Sequence, residues 1–272
     1  MMSGFNFWDF KIASDDYIYE LANIIYKIKY WGQRKNLLRN RELKNINKGK
    51  RTFIILNGPS LKNQNIRKLK GEILFFVNRG YKHPDYEYLS PAYHVIIDAK
   101  LSTGEWSLDM IDEIFKKNPK VKLFLNVKWL KLKRFSKFRQ NSNIFWIDTD
   151  MIFTRFFSGK IDLTKLNPGR AVFGACFSVA LYSGSKEVMF LGLDANGLAH
   201  EILNSSSHFY GVNEDNNSKT CKDYIKDLYM MSNGLKSFYA ISKYCSNRNI
   251  RVINLTEGGL LDMFERKRLE DV

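Results

Sequence analysis

Four short stretches carry residues whose types and spacing could do chemistry. In NSSSHFYG, residues 204–211, His208 sits in a Ser/Asn-rich segment beside Phe209 and Tyr210. An imidazole titrates near neutral pH and can take a proton from an attacking hydroxyl. In TFIILNGPSLKN, an apolar run breaks at Asn57-Gly58-Pro59-Ser60. Gly58 permits a close backbone approach, and Ser60 can cap a following helix whose N–H groups face an anion. N-G-P-S is equally a good ordinary turn, and it is neither a G-x-G-x-x-G nor a Walker A loop. Asn78, in FFVNRG, offers a second amide either to a nucleotide's base or ribose or to the cap of a helix. Finally, NPGRAVFGACFSVALYSG places Arg170 ahead of a run of small and apolar residues that includes Gly174, and EVMFLGLD follows with Asp194. A guanidinium near a crevice is a natural bidentate partner for phosphate.

Such residues need a scaffold that brings them together. From Thr52 onward short apolar runs alternate with helix-like segments. The strand candidates are 52–57, 72–78, 92–98, 121–126, 144–148, 187–194 and 251–256. Helix candidates include SLDMIDEIFKKN, AVFGACFSVALYSG and DYIKDLYMMSNGLKSFYAISKYC. Nearly continuous apolar strands separated by helices predict an α/β fold, a Rossmann-like and mainly parallel sheet covered by helices on both faces. Ligands of such sheets bind at the carboxyl ends of the strands. The candidates here repeatedly end on a polar residue: Asn57, Asn78, Asp98, Asn126, Asp148, Asp194 and Asn254 or Thr256. Convergence of these on one rim would make a polar crevice.

Residues 1–50 stand apart as an N-terminal extension and 51–272 as the Rossmann-like domain. The extension carries Ile18, Leu21, Ile24, Ile25, Ile28 and Trp31 at helical spacing, followed by the polar connector RNRELKNINKGKR. An amphipathic helix of this kind lies on a membrane surface or packs on its own domain or a partner subunit. The chain has a formal net charge of +15, and no acidic residue falls between Glu113 and Asp148 while ten Lys and Arg occur between Lys116 and Arg139. That run predicts either a polyanion-attracting face or a merely solvated basic surface. No apolar stretch approaches the ~20 residues of a membrane span, and no secretory leader is evident. Three cysteines (Cys176, Cys221, Cys245) suggest neither a disulfide framework nor a zinc site. A cytoplasmic compartment is expected.

The order of these motifs resembles the bacterial sialyltransferases of glycosyltransferase family 42. N-G-P-S-L-K follows the first strand, Asn ends the second, Arg precedes a Gly-containing small-residue helix, and G-x-D comes before S-H-[FY]. The resemblance covers roughly residues 52–265. It implies metal-independent transfer from a CMP-linked sugar to a glycan hydroxyl, with no cofactor beyond that co-substrate. His208 would be the general base, and Arg170 would lie at the donor phosphate or carboxylate. Asn57, Gly58, Pro59, Ser60, Asn78, Gly174, Asp194, Asn254 and Thr256 would face the nucleotide. Asp98, Asn196 and Tyr210 are the candidates for substrate contact, with Asn196 standing where that family carries a tyrosine. Expected partners are a nucleotide sugar and a lipid-linked or surface glycan such as lipooligosaccharide or capsule. Peripheral contact with the inner membrane and a homo-oligomer are also anticipated, and nucleic acid is not. The archaeal 6-hydroxymethylpterin pyrophosphokinase group shares the early N-G-P-S and a late N-x-T-x-G, which implies ATP- and Mg²⁺-dependent pyrophosphoryl transfer as the rival. A non-enzymatic polyanion binder is the third reading.

Overall fold

The computed structural model describes residues 7–203, 205–211 and 220–272. Its centre is one eight-stranded sheet in which every pairing is parallel. The strands are β1 (Arg51–Ile55), β2 (Ile73–Val77), β3 (Tyr93–Ile96), β4 (Lys122–Asn126), β5 (Ile144–Ile147), β6 (Glu187–Leu191), β7 (Arg251–Asn254) and β8 (Glu265–Arg266). All seven strand candidates are present. The eighth, only Glu265 and Arg266 at the sheet edge, is exposed and charged and carries no apolar signal.

The helices are α1 (Phe7–Lys29), α2 (Arg34–Leu37), α3 (Tyr86–Leu89), α4 (Ala99–Thr103), α5 (Asp109–Lys117), α6 (Val172–Tyr182), α7 (Gly197–Ile202) and α8 (Cys221–Ser246). Alternation along β1 shows why the strands read as continuously apolar. Phe53 and Ile55 enter one core with Ile111 and Ile114 of α5, while Ile54 and Leu56 enter another with Phe177 of α6 and Ile241 of α8. Both faces of the sheet are therefore covered, and neither can be polar.

The strand order is β5-β4-β3-β2-β1-β6-β7-β8. Successive strands run outward from β1 in one direction and, from β6, in the other. The sheet thus has a topological switch point between β1 and β6, with a crevice beyond their carboxyl ends.

The stretch between α1 and β1 is bonded into the domain. Asn40 Nδ2 donates to the carbonyls of Trp146 and Leu163, and Asn47 Nδ2 donates to Tyr93 Oη and Ser183 Oγ. Helix α1 packs on the domain through its polar face. Asn23 and Ile152 exchange two hydrogen bonds, of 2.9 and 3.2 Å, and Arg155 pairs with Asp16 at 2.6 Å. Glu20 accepts from the Thr154 hydroxyl. Its apolar residues Ile18, Leu21, Ile24, Ile25 and Ile28 face outward.

Several cations of the basic run have partners within the fold. Lys137 pairs with Asp112 at 2.7 Å, Lys117 donates to the Tyr81 carbonyl, Arg134 reaches the Trp106 carbonyl, and Lys128 turns into the crevice. Several of its charges thus tie neighbouring loops and helices to one another.

Candidate active site at the switch point

Two adjoining hollows occupy the crevice. The first, about 340 Å³, is lined by Asn57, Gly58, Asn78, Asp194, Asn196 and His208 among others. The second, about 540 Å³, takes in Asn78, Asp98, Asn126, Lys128, Asp150 and Arg170. Asn78 and Val172 belong to both, so the two are compartments of one cleft.

The N-G-P-S turn differs from the anion cradle its sequence suggests. Ser60 donates from its backbone N–H to Asp194 Oδ1 at 3.2 Å and from its hydroxyl to Oδ2 at 3.0 Å. The protein's own carboxylate therefore occupies the place expected for a ligand anion. Gly58 is explained by the same contact. A Cβ there would lie 1.8 Å from Asp194 Oδ2 and 2.6 Å from the Gly192 carbonyl. Burial raises the Asp194 carboxyl above its ordinary range, and the two Ser60 hydrogen bonds oppose the rise.

Asn57 and Asn78 are poised differently. Asn57 Nδ2 donates to the Val77 carbonyl at 3.1 Å, and its backbone carbonyl accepts from Phe209 N at 2.9 Å. Its Oδ1 is buried without a partner, as are Asn78 Oδ1 and His208 Nδ1. Three buried polar atoms without partners thus belong to residues lining the smaller hollow. A buried acceptor without a donor costs about 1–3 kcal/mol. Asn78 also has a left-handed backbone (φ 45°), as do Ala171 (φ 67°) and Ala195 (φ 55°), all lining the cleft. Non-glycine residues held there carry strain that concentrates at functional sites.

The 205–211 segment brings His208 to this hollow. The Phe209–Asn57 backbone bond anchors it to the end of β1, and the Phe209 ring lies 5.2 Å from that of His83. His208 stacks on Tyr210 at 4.9 Å. Desolvation lowers the His208 imidazole below its ordinary 6.5, against the opposing effect of a hydrogen bond with the Asn57 backbone. Desolvation thus favours the neutral ring, the form able to accept a proton.

On the other side of the cleft Arg170 is exposed at the start of α6, and its N–H donates to the Met151 carbonyl. Asp98 caps α4 by accepting from Lys100 N at 3.0 Å. Lys128 and Asp150 form a 3.2 Å ion pair, and neither emerged as a site residue from the sequence. Both lie just past a polar strand end, on the turns following β4 and β5, and that position was the signal available. Tyr26 of α1 donates to Asp148 at 2.8 Å and Asp150 at 3.1 Å, so α1 supports this wall.

Other expected residues lie apart from the cleft or are committed to internal bonds. Asn254 donates to the Leu261 carbonyl and accepts from Thr256 N. Thr256 Oγ1 accepts from Leu193 N and borders a separate basin with Arg266 and Arg268. A Cβ at Gly174 would lie 3.4 Å from the Gly169 backbone, an ordinary contact distance. Pro59 begins the turn that Ser60 closes onto Asp194, and Tyr210 backs His208.

A family model described as 6-hydroxymethylpterin diphosphokinase MptE-like matches residues 24–197. The chain belongs to the MptE-like family. The match runs from α1 through β6 and includes Asn57, Asn78, Asp98, Arg170 and Asp194, whereas His208 lies beyond it. No curated protein matches. Among solved structures the chain is similar to the sialyltransferase CstII from Campylobacter jejuni with cytidine-5'-monophosphate. Identity is 16%, 80% of this chain and 85% of that chain are covered, and the TM-score is 0.48. The sialyltransferase CST-II with a trisaccharide acceptor and CMP gives 17%, 79%, 85% and 0.46 for the same quantities. CstII with CMP-3FNeuAc gives 15%, 80%, 84% and 0.44. These are the two groups that the motif order resembles.

Proposed function

We propose that the protein is a transferase moving a sugar from a nucleotide donor, most simply a CMP-linked one, onto a hydroxyl of a glycan acceptor. The observation that carries this reading is the gathering of Asn57, Asn78 and His208, each with a buried polar atom that has no partner, around one hollow at the switch point. Turned toward the hollow, these side chains would meet ligand N–H and O–H groups. A base with an exocyclic amine, ribose hydroxyls and an acceptor hydroxyl supply them. In this mechanism His208 takes the proton of the acceptor hydroxyl as its oxygen attacks the anomeric carbon. The bond from that carbon to the phosphate oxygen breaks, and the negative charge left on the nucleotide is met by Arg170 and Lys128. Asp98 and Asn196 orient sugar hydroxyls. The cations of this chain thereby do the work a metal would otherwise do.

A second reading, pyrophosphoryl transfer from ATP, is favoured by the family match. Among the described residues no group of three or more His, Cys, Asp or Glu is placed to hold a metal ion. Asp98 and Asp150 of the larger hollow would hold Mg²⁺ together with donor phosphates, a mode common for that ion. There it would neutralise phosphate charge, while His208 would again accept the hydroxyl proton.

The test is a thermal-shift screen of CMP, CDP, UDP, GDP and ATP with and without Mg²⁺, on wild type and Asn78→Ala, followed by transfer assays with CMP-sugars. Metal-independent stabilisation by CMP, lost in Asn78→Ala, with transfer abolished by His208→Ala, is the expected result. Stabilisation by ATP only when Mg²⁺ is present would replace the sugar donor with the second reading.

A further inference from the structure

Helix α1 is amphipathic in the reverse sense. Its buried residues are Asp16, 3% exposed, and Asn23, 6% exposed, while Ile18 is 63%, Leu21 60% and Ile28 73% exposed. The polar bonds to segment 148–155 fix this rotation, since Asp16, Glu20, Asn23 and Tyr26 all bond inward to that segment. On a helical wheel of about 100° per residue, the outward apolar stripe spans roughly 140°. It runs the length of a 23-residue helix, about 34 Å at ~1.5 Å per residue.

We propose that this stripe is a docking face for an anionic lipid surface. Width decides between a bilayer and a second copy of the chain. A two-helix seam uses a narrower strip than the broad apolar face here, so a partner helix would leave its flanks wet, whereas a lipid surface covers all of it. Charge and aromatic content point the same way. Lys27, Lys29 and Lys35 are exposed around the end of the helix. Trp31 is 64% exposed, with the Arg34 guanidinium 4.1 Å from its ring centre, an amphipathic pair suited to headgroup depth. The face extends onto α8, where Lys236 pairs with Asp15 at 2.5 Å and Tyr229 and Met230 are exposed. Met230 also lines the larger hollow of the cleft, and Tyr26, on the inner side of α1, bonds Asp148 and Asp150 behind it. Docking through this face therefore sets the mouth of the cleft at the lipid surface. The inference goes beyond the proposed reaction and does not depend on which nucleotide is used.

The test is flotation of the full chain with vesicles of phosphatidylcholine alone and of phosphatidylcholine with phosphatidylglycerol, together with its mass by light scattering. Wild type is expected to float with the anionic vesicles, less at high salt and least on phosphatidylcholine. Ile18→Glu/Ile25→Glu alters exposed positions and leaves the circular dichroism and melting temperature in place. It is expected to lower vesicle partitioning by at least about tenfold. A second variant, Lys27→Gln/Lys29→Gln, keeps the stripe and is expected to reduce binding to the anionic vesicles alone. Binding that survives Ile18→Glu/Ile25→Glu overturns the proposal. So does indifference to lysine removal, or absence of vesicle binding by wild type. A wild-type dimer that does not float and is split by Ile18→Glu/Ile25→Glu would assign the face to a second copy instead.

Discussion

His94 lies at the middle of β3 with no exposed surface, and it holds Asn78 from behind. Its Nε2 is 2.9 Å from the Asn78 backbone carbonyl, and its Nδ1 is 3.0 Å from the Tyr86 hydroxyl. The carbonyl can only accept, so Nε2 carries the proton, and in the neutral ring that burial favours Nδ1 accepts from the phenol. Burial pushes the imidazole down from 6.5 to about 4, partly offset by the bond to Asn78. The unfolded chain therefore binds the extra proton between about pH 6.5 and 4 while the folded chain does not. Stability from this group is complete above 6.5 and is lost as pH falls through that window. The full difference corresponds to about 3 kcal/mol, and about 2 kcal/mol of it disappears between about pH 7.5 and 5. Asp148 works against this. Burial raises its carboxyl from 3.8 to about 6, so the folded state binds more protons in that interval. Over the same acidification Asp148 returns about 1–2 kcal/mol. The two contributions oppose each other in a wild-type curve, so the informative quantity is a difference. Urea unfolding of wild type and His94→Gln should show the variant about 1–3 kcal/mol less stable at about pH 7.5, because at least one buried partner loses its bond. That gap should shrink by about 2 kcal/mol at about pH 5. A gap constant to within about 0.5 kcal/mol would refute a neutral, buried His94 as the clamp on Asn78.

Gly58→Ala should destabilise the fold by about 1–3 kcal/mol in denaturant unfolding, since its methyl group meets Asp194 Oδ2 and the Gly192 carbonyl. Adding Asp194→Ala should recover only part of that, because the backbone carbonyl remains; an unaltered melting temperature for Gly58→Ala would contradict the packing. With His208 as base, kcat/KM for transfer should rise with pH as the imidazole loses its proton, with a midpoint below 6.5 because burial lowers it. A midpoint at or above 6.5, or the same limb in His208→Ala, would remove His208 from the proton transfer.

Much of the architecture was legible before any coordinates. The seven long strands are nearly continuous apolar runs because both faces of the sheet are covered, and that burial leaves its mark residue by residue. The polar residues ending β1 to β4 and flanking β6 were legible for the same reason, since Asn57, Asn78, Asp98, Asn126 and Asp194 stand where the apolar layers stop. Local pattern also located α5, α6 and α8. It did not locate β8, whose two charged residues pair at an edge with no core to fill.

What the chain alone determined, then, is whatever burial imposes locally: the element types, the layered α/β class and the positions where polar groups interrupt apolar runs. The tertiary structure decided which of those groups meet. Parallel pairing of β1 with β6 joins residues more than a hundred positions apart, and that contact hands the Ser60 donors to Asp194 rather than to a ligand. The same kind of long-range bond, Asn23 to Ile152, turns the apolar stripe of α1 outward. Periodicity reports that a helix has two faces, but which face is covered depends on partners brought by the fold, and here a few directional polar bonds outweigh the apolar preference.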